Sequence, residues 1–315
     1  MREATTYWQA PTRPAGVLCQ EAADDLSAAI VKLESWRVPV RQQSRLRIAE
    51  RALRRLAARG ILPAHLGRRR RAVSALFVAM DYAAIASTLP AQADAELRKQ
   101  LTESVSGPLT TYGGPEAQLQ LQSQHWVGAF LRAVGASLTI PKVTAARPGK
   151  RPDFVVANGV STYGIEVKRP SSARRVVPSL DAALEQLVAQ DVPGCLVLDA
   201  TDLLRRRSPK SFERGLLQIS SRLHEAIWSE QEGRQKGYRP GYSSFMVVSV
   251  IARGAWQLHI GKRANLEVLN YSSSSVFANA EHSLAERRAT WLRSVIQDGF
   301  QAMGRTIAER THGGA

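Results

Sequence analysis

Apolar and charged residues recur with a helical period through the first hundred positions of the chain. Leu46, Ala49, Leu53 and Leu56 form the clearest apolar stripe, and arginines fill many of the positions between them. Gly60 follows this stripe and predicts the end of its helix. Four segments show the same spacing and are predicted to be helices: 21–36, 41–60, 72–88 and 92–104.

The pattern changes after residue 115, where apolar strands begin to alternate with helices, which predicts an α/β fold. The expected elements, in order, are helix 116–134, strand 137–140, two strands joined at Asn158-Gly159, helix 179–190, strand 194–200, helix 211–231, strands 244–252, 255–260 and 266–271, a serine-rich loop at 272–275 and helix 281–309. The Gly-, Pro- and Thr-rich segment 106–115 predicts a domain boundary. It separates a basic, mostly helical region at 1–110 from a second domain at 111–315.

The charge of the chain favours a polyanionic partner. Its 43 basic and 27 acidic residues give a formal net charge of +16, and only eight of the basic residues are lysines. Arginine pairs with phosphate through two parallel hydrogen bonds, so this composition points to nucleic acid. The alternative is that the charge only keeps the chain in solution. The arginine run within GRRRR (67–71) is predicted to be a solvated loop, with phosphate contact as the other possibility.

Several classes of site and location are disfavoured by the sequence. Cys19 and Cys195 are far apart and lack a C-x-x-C partner, which argues against a disulfide framework or a zinc site. The chain has no P-loop, no G-x-S-x-G and no H-E-x-x-H motif. It also has no apolar run of transmembrane length and no secretory signal at its N-terminus, so we expect a cytoplasmic protein without a membrane partner.

Candidate chemistry lies on the predicted hairpin between Arg151 and Pro170. If Asn158-Gly159 forms a two-residue turn, Ala157 pairs with Val160, and Asp153 lies opposite Gly164. Side chains alternate along a strand, so two faces follow. One face carries Asp153, Gly164, Glu166 and Lys168. The other face is apolar and carries Phe154, Val156, Tyr163, Ile165 and Val167.

The polar face of this hairpin predicts a cation site. Asp153 and Glu166 become diagonal neighbours across the strands, about 7 Å apart at Cα, so one ion can contact both carboxylates. Hard divalent cations prefer such oxygen ligands. Lys168 lies on the same side, where it can polarise a water molecule or offset phosphate charge. The alternative is an edge hairpin with a solvated charged face.

Pro152-Asp153 followed by Glu166-x-Lys168 resembles the motif of the PD-(D/E)xK, or restriction-endonuclease-like, nucleases. The resemblance covers about residues 116–200. It implies an αβββαβ core with a mixed sheet flanked by helices, beside the N-terminal helical region. It also implies Mg2+ (or Mn2+) bound by Asp153, Glu166 and the backbone carbonyl of Val167, with Lys168 as the catalytic lysine.

The resemblance implies further residues whose assignment the sequence leaves open. Many members of the family add a glutamate from the first core helix, and here either Glu116 or Gln124 takes that place. Gln186 matches a glutamine that some members carry on the next helix, with a surface glutamine as the alternative. Basic residues just past the lysine strand are placed to contact a flanking phosphate, with a solvated loop as the alternative: Arg169, Arg174 and Arg175.

The sequence therefore predicts a Mg2+-dependent nuclease, with DNA as the expected substrate. The main alternative is a non-catalytic nucleic-acid-binding or assembly protein that keeps the nuclease fold. The role of the basic N-terminal region is left open between positioning DNA, sensing a partner and self-association. A homodimer or a partner protein would bind through this region or through the C-terminal helix.

Overall fold

The structure is a computed structural model in which the chain divides into two compact units. Unit 1 comprises Met1–Trp8, Val134–Gly254 and Asn270–Ala302, and unit 2 comprises Gln9–Ala133, Ala255–Leu269 and Met303–Ala315. The residues that the structure describes are 3–9, 12–63, 65–89, 95–106, 116–141, 151–159, 161–189, 193–204, 208–235, 245–260, 263–278 and 283–309.

Unit 2 is built mainly from helices. They are α1 (Ala15–Ser35), α2 (Arg45–Arg59), α3 (Leu66–Thr88), α4 (Ala95–Val105) and α5 (Glu116–Ala133). Helices α1, α2 and α3 pack on one another, and α5 packs against α3 and α4. The loop on which the boundary at 110/111 was predicted lies outside the described residues, and α5 belongs to unit 2 by its contacts.

Helix α2 forms as its sequence predicts. Its apolar stripe is buried at all four positions. Ser44 caps the N-terminus by accepting a hydrogen bond from the Arg47 amide at 3.4 Å. Gly60 ends the helix in the left-handed region, with φ +67°, where glycine has no Cβ to clash. Burial of the stripe determines which side of α2 faces the core, and the two caps determine where the helix begins and ends.

A buried polar network ties α2 to its neighbours. Arg45, on α2, donates to the side-chain oxygen of Gln122, and the Gln122 amide donates to Asp81. The same guanidinium donates to the carbonyl of Ser104 at 3.4 Å, and Tyr82 donates to the Ser104 hydroxyl at 2.8 Å. A charge removed from water is tolerated only with such partners, so Arg45 is a structural residue.

The strands of the structure form an open, mixed sheet. They are β1 (Glu3–Gln9), β2 (Arg13–Pro14), β3 (Ser137–Thr139), β4 (Phe154–Asn158), β5 (Ser161–Lys168), β6 (Gly194–Asp199), β7 (Phe245–Ile260) and β8 (Arg263–Ala278). Their order is β1-β8-β7-β6-β5-β4-β3, with β2 paired to β8 off this path. The pairs β3–β4 and β4–β5 are antiparallel, whereas β5–β6 and β6–β7 are parallel. The predicted α/β class is confirmed.

Helices cover both faces of the sheet in unit 1. The helices of unit 1 are α6 (Val176–Ala189), α7 (Thr201–Leu204), α8 (Pro209–Gln235) and the part of α9 (Ser283–Glu309) that ends at 302, and α6 and α9 each contact the sheet. Leu187 of α6 lies against Gly164 of β5, and Trp291 of α9 stacks on Tyr163 at 5.2 Å. Gly164 and Tyr163 are neighbours in a strand and face opposite sides, so the two helices lie on opposite faces.

Three sequence-based assignments are wrong in detail. Segment 67–71 belongs to α3 instead of forming a loop, because arginine is a good helix former. Strand β7 is continuous where two strands were expected. The serines at 272–275 are buried within β8 instead of forming a loop, and the hydroxyls of Ser249 and Ser274 lie 2.6 Å apart. Among the described residues, no helix has the length and apolarity needed to cross a membrane.

Candidate active site

The hairpin that carries the candidate residues differs from its predicted register by two residues. Asn158 stays in β4 and pairs with Ser161, and among the described turn residues only Gly159 takes a positive φ, +58°. The turn is therefore centred one residue later than predicted. Gly164 pairs with Val155, so the prediction that it lies opposite Asp153 is wrong. Asp153 is instead level with Glu166.

This shift does not change which side chains share a face of the hairpin, and the predicted site depends on that arrangement. Moving the centre of a turn by one residue moves the pairing by two, so every side chain stays on its predicted face. The five residues of the predicted apolar face are all buried: Phe154, Val156, Tyr163, Ile165 and Val167. The structure brings Asp153, Glu166 and Lys168 together on the other face.

Glycines allow α6 to lie close to this second face. A Cβ built on Gly164 would lie 2.7 Å from Leu187 Cδ2, which is closer than real Cβ atoms approach. A Cβ on Gly194, the β6 neighbour of Gly164, would lie 2.2 Å from the Gly164 carbonyl oxygen. The absence of side chains at both positions therefore sets how near α6 can come to the polar residues of β5.

Each of the two carboxylates accepts a hydrogen bond from a main-chain amide across the hairpin. The amide of Asp153 donates to Glu166 Oε2 at 3.2 Å, and the amide of Val167 donates to Asp153 Oδ2 at 2.8 Å. Glu166 is fully buried, whereas Asp153 is half-buried. These two bonds fix both carboxylates on one face of the hairpin, near enough for the charge of Asp153 to raise the pKa of Glu166.

Lys168 is held in place by two acceptors. Its ammonium group donates to Glu166 Oε1 at 2.5 Å and to Gln186 Oε1 at 2.7 Å. The amide of Gln186 donates in turn to the carbonyl of Arg151 at 3.0 Å. Gln186 is half-buried and joins α6 to the hairpin, so the alternative of a solvated surface glutamine does not describe it. The sequence identified this residue only through the resemblance.

The positive charge near Glu166 does not balance the effects of its burial and of the neighbouring Asp153. The pKa of Glu166 is raised from 4.5 to about 8, with burial as the largest cause and the nearby charge of Asp153 as the next. The charge of Lys168 and its hydrogen bond act against this rise without cancelling it. A second cation beside the two carboxylates would relieve both the repulsion and the loss of solvation.

The oxygen ligands of the site fit a magnesium or manganese ion that also contacts its substrate. Mg2+ is commonly bound by one or two carboxylates, with water and substrate phosphates completing its coordination. Asp153 and Glu166 meet that requirement. Within the described part of the chain, no cluster of three or more acidic, histidine or cysteine side chains is arranged to hold a metal ion. The pair of Asp153 and Glu166 is likewise not part of such a cluster.

A charged cluster that the sequence analysis missed lies beside Lys168, where β5 and β6 end. Asp199, fully buried at the end of β6, is 3.7 Å from Arg169 and 3.8 Å from Arg253. Arg169 also donates to Asp202 at 2.9 Å. The side chain of Arg169 is only 8% exposed, so a phosphate would have to compete with these two acids for it. The one sequence signal was an aspartate, Asp199, within the apolar run predicted as strand 194–200.

The remaining predicted site residues are placed as follows. Arg174 and Arg175 are exposed on a single 3-10 turn, Ala173–Arg175, just before α6. Gln124 is half-buried on α5 in unit 2. Glu116 begins α5, and its side chain lies outside the described residues. The fourth metal ligand and the phosphate contacts stay predictions.

Cys19, Cys195 and His125 are buried, and we interpret them as structural residues. Both cysteines are buried, and burial raises the pKa of Cys19 to about 11 and raises that of Cys195 as well. Burial lowers the pKa of His125 to about 3. All three side chains are therefore uncharged at neutral pH.

Comparison of the chain with protein-family models, with curated proteins and with solved structures finds no match. The functional argument therefore depends on the site itself.

Proposed function

We propose that the chain is a metal-dependent nuclease that hydrolyses phosphodiester bonds of nucleic acid, with DNA as the expected substrate. The observation that carries this proposal is the convergence of the Asp153 and Glu166 carboxylates beside a lysine fixed by Gln186. The proposal includes a core of the PD-(D/E)xK type. In its support, the elements of unit 1 from β3 to β6 run three strands, helix, strand, with β5 parallel to β6; the preceding helix, α5, belongs to unit 2.

In the proposed reaction, one set of residues binds the metal ion and Lys168 donates a hydrogen bond. Asp153, Glu166 and the backbone carbonyl of Val167 would hold Mg2+ or Mn2+. When bound there, the ion supplies an activated water and offsets the charge of the scissile phosphate. Lys168 uses two of its three N–H groups on Glu166 and Gln186. The third N–H would donate to the attacking water or to a phosphate oxygen.

A protein that binds nucleic acid without cutting it is the second candidate. Such a protein needs the basic surface and the fold, but it gains nothing from a buried carboxylate. Burying Glu166 beside Asp153 costs free energy even with Lys168 as a neighbour, and the raised pKa of Glu166 expresses this cost. Perturbed pKa values of this kind are concentrated in functional sites, so we favour cleavage over binding alone.

The proposal is tested by incubating the purified full chain with single- and double-stranded DNA and RNA, each with Mg2+, with Mn2+ or with EDTA. We expect cleavage of at least one substrate with either metal and none with EDTA. Lys168→Ala should lose the activity, whereas Lys99→Ala, a change at an exposed lysine of α4, should keep it. Cleavage that persists in EDTA or in Lys168→Ala would refute the mechanism, and binding without cleavage of any substrate would favour the second candidate.

A further inference from the structure

The segment from α2 to the start of α3 concentrates positive charge. Residues 41–71 contain eleven arginines and one acidic residue, Glu50. Sequence alone left the role of this region open, and a solvated loop was predicted for part of it. The structure instead assigns all of these arginines except Arg41 to two packed helices, so their side chains project from fixed positions.

The structure separates the arginines of α2 into three groups. Arg45 is buried in the network described above. Arg47 and Arg54 are neutralised, because Arg47 pairs with Glu34 and Glu50 at 3.2 Å and Arg54 pairs with Asp24 at 3.1 Å. The third group, which we name the arginine stripe, is exposed: Arg51, Arg55 and Arg59.

The arginine stripe keeps its full charge. Within the described residues, none of its three members forms an ion pair with an acid. Arg51 donates to the backbone carbonyl of Gln42 at 3.0 Å, and this neutral acceptor orients the side chain without cancelling its charge. Residues four apart lie on one side of a helix, so the stripe is a row of like charges that repel each other by a few tenths of a kcal/mol per pair.

Further unneutralised arginines follow at the start of α3. Arg68, Arg69 and Arg71 are exposed in the first turns of that helix, and its first turn contains no acidic residue. Arg69 donates to the carbonyl of Pro63 at 3.3 Å, again a neutral acceptor. Because α2 and α3 pack together and only residues 60–65 connect them, these arginines extend the charged surface from the C-terminal end of the stripe.

We propose that the arginine stripe binds the phosphate backbone of a nucleic-acid duplex, separately from any cleavage in unit 1. The rise of a helix spaces its arginines about 6 Å apart along α2, so the stripe spans about 12 Å. A duplex strand rises about 3.4 Å per phosphate, so several phosphates face that length. Each arginine can pair with one of them and displace condensed counterions.

The composition of the surface selects duplex over single-stranded nucleic acid. Proteins that bind single strands stack the bases on aromatic side chains. Residues 41–71 contain no Phe, Tyr or Trp, so they offer phosphate contacts and no stacking platform. Binding through phosphates alone is independent of base sequence and depends steeply on salt. This inference goes beyond the proposed nuclease activity, because it requires neither a metal nor cleavage.

The test measures binding of the full chain to a short fluorescent DNA duplex in EDTA, by anisotropy, over a series of KCl concentrations. The stripe variant combines Arg51→Gln, Arg55→Gln and Arg59→Gln. The control removes the same charge from exposed arginines of unit 1 with Arg214→Gln, Arg222→Gln and Arg287→Gln. A third protein carries Arg51→Lys, Arg55→Lys and Arg59→Lys. Thermal melting of each variant verifies that it folds.

We expect the slope of log K against log salt, which is negative, to become smaller in magnitude by about 2 to 3 in the stripe variant, since each lost phosphate contact contributes about 0.9. The control and the lysine variant should keep the native slope, and a single strand of the same sequence should bind more weakly than the duplex. An equal loss in the stripe variant and the control, or a native chain that does not bind duplex, would overturn the proposal. So would a stripe variant that binds duplex normally but no longer binds vesicles of anionic phospholipid.

Discussion

Replacement of Asp153 by asparagine is expected to lower the rate of Mg2+-dependent cleavage by about 1,000-fold, which corresponds to about 4 kcal/mol of transition-state stabilisation. Asparagine has the shape of aspartate, and its side-chain oxygen can still accept the hydrogen bond from the Val167 amide, now 2.8 Å from Asp153 Oδ2. The hairpin should therefore keep its fold. What the variant loses is a negative charge beside Glu166, and with it the affinity of the site for a divalent cation.

This prediction is measured as a single-turnover cleavage rate at saturating protein. Asp298→Asn is the matched control, because it makes the same change of charge at an exposed position of α9. The control should cleave at the native rate. Equal rates for the native chain and Asp153→Asn, with both proteins folded, would remove Asp153 from the proposed mechanism.

Replacement of Glu166 by glutamine is expected to change how the stability of the protein depends on pH. The pKa of Glu166 is about 8 in the fold against an ordinary value of 4.5, with burial as the larger cause and Asp153 as the next. An acid whose pKa is raised takes up a proton on folding. The free energy of unfolding therefore falls as pH rises from about 4.5 to about 8, by an amount on the order of 4 kcal/mol.

The Glu166→Gln variant lacks this titration. In EDTA it should match the native chain near pH 5, where Glu166 is protonated, and exceed it in stability above about pH 8. Urea unfolding across this pH range measures the difference. Added Mg2+ should stabilise the native chain most at high pH and leave the variant unchanged. Glu213→Gln, an exposed position on α8, should follow the native curve, and parallel curves for all three proteins would contradict the assignment.

Helical periodicity was the most informative property of the sequence for the fold. The apolar stripe of α2 was predicted residue by residue. Its apolar positions, its polar positions and the glycine that ends it, Gly60, all indicated the same helix. The helix predicted at 281–309 also forms, as α9, and its Leu292 and Phe300 are buried in unit 1. Trp291 of the same helix contacts Tyr163 of β5.

The run at 272–275 shows where composition misleads. Serine is common in loops, but a buried serine hydroxyl is tolerated in a sheet when it has a partner, as Ser274 has in Ser249. The sequence around Ser274 does not indicate this partner, because Ser249 lies on a neighbouring strand. The continuity of β7 was hidden for a related reason. Arg253 lies between the two strands predicted at 244–252 and 255–260, and in the structure it is buried near Asp199.

The sequence predicted correctly which residues of the candidate site share a face of the hairpin, but not which residues pair across its two strands. Period-two alternation fixes which residues share a face, and an even shift of the turn leaves that result intact. The sequence could not distinguish a turn centred on Asn158-Gly159 from one centred a residue later, since glycine at position 159 satisfies both. The bond from Lys168 to Gln186 joins β5 to α6, and the cluster around Asp199 joins two parallel strands. Both depend on tertiary packing, which local pattern does not encode.

The most direct measurement of the central claim is an anomalous diffraction map of native crystals grown with Mn2+. The account predicts a manganese peak about 2 Å from a carboxylate oxygen of Asp153 and from one of Glu166, the distance of a hard cation from its oxygen ligands. The peak should be absent in crystals of Asp153→Asn. A manganese ion bound elsewhere, with Asp153 and Glu166 left in contact only with Lys168 and the main chain, would contradict the account.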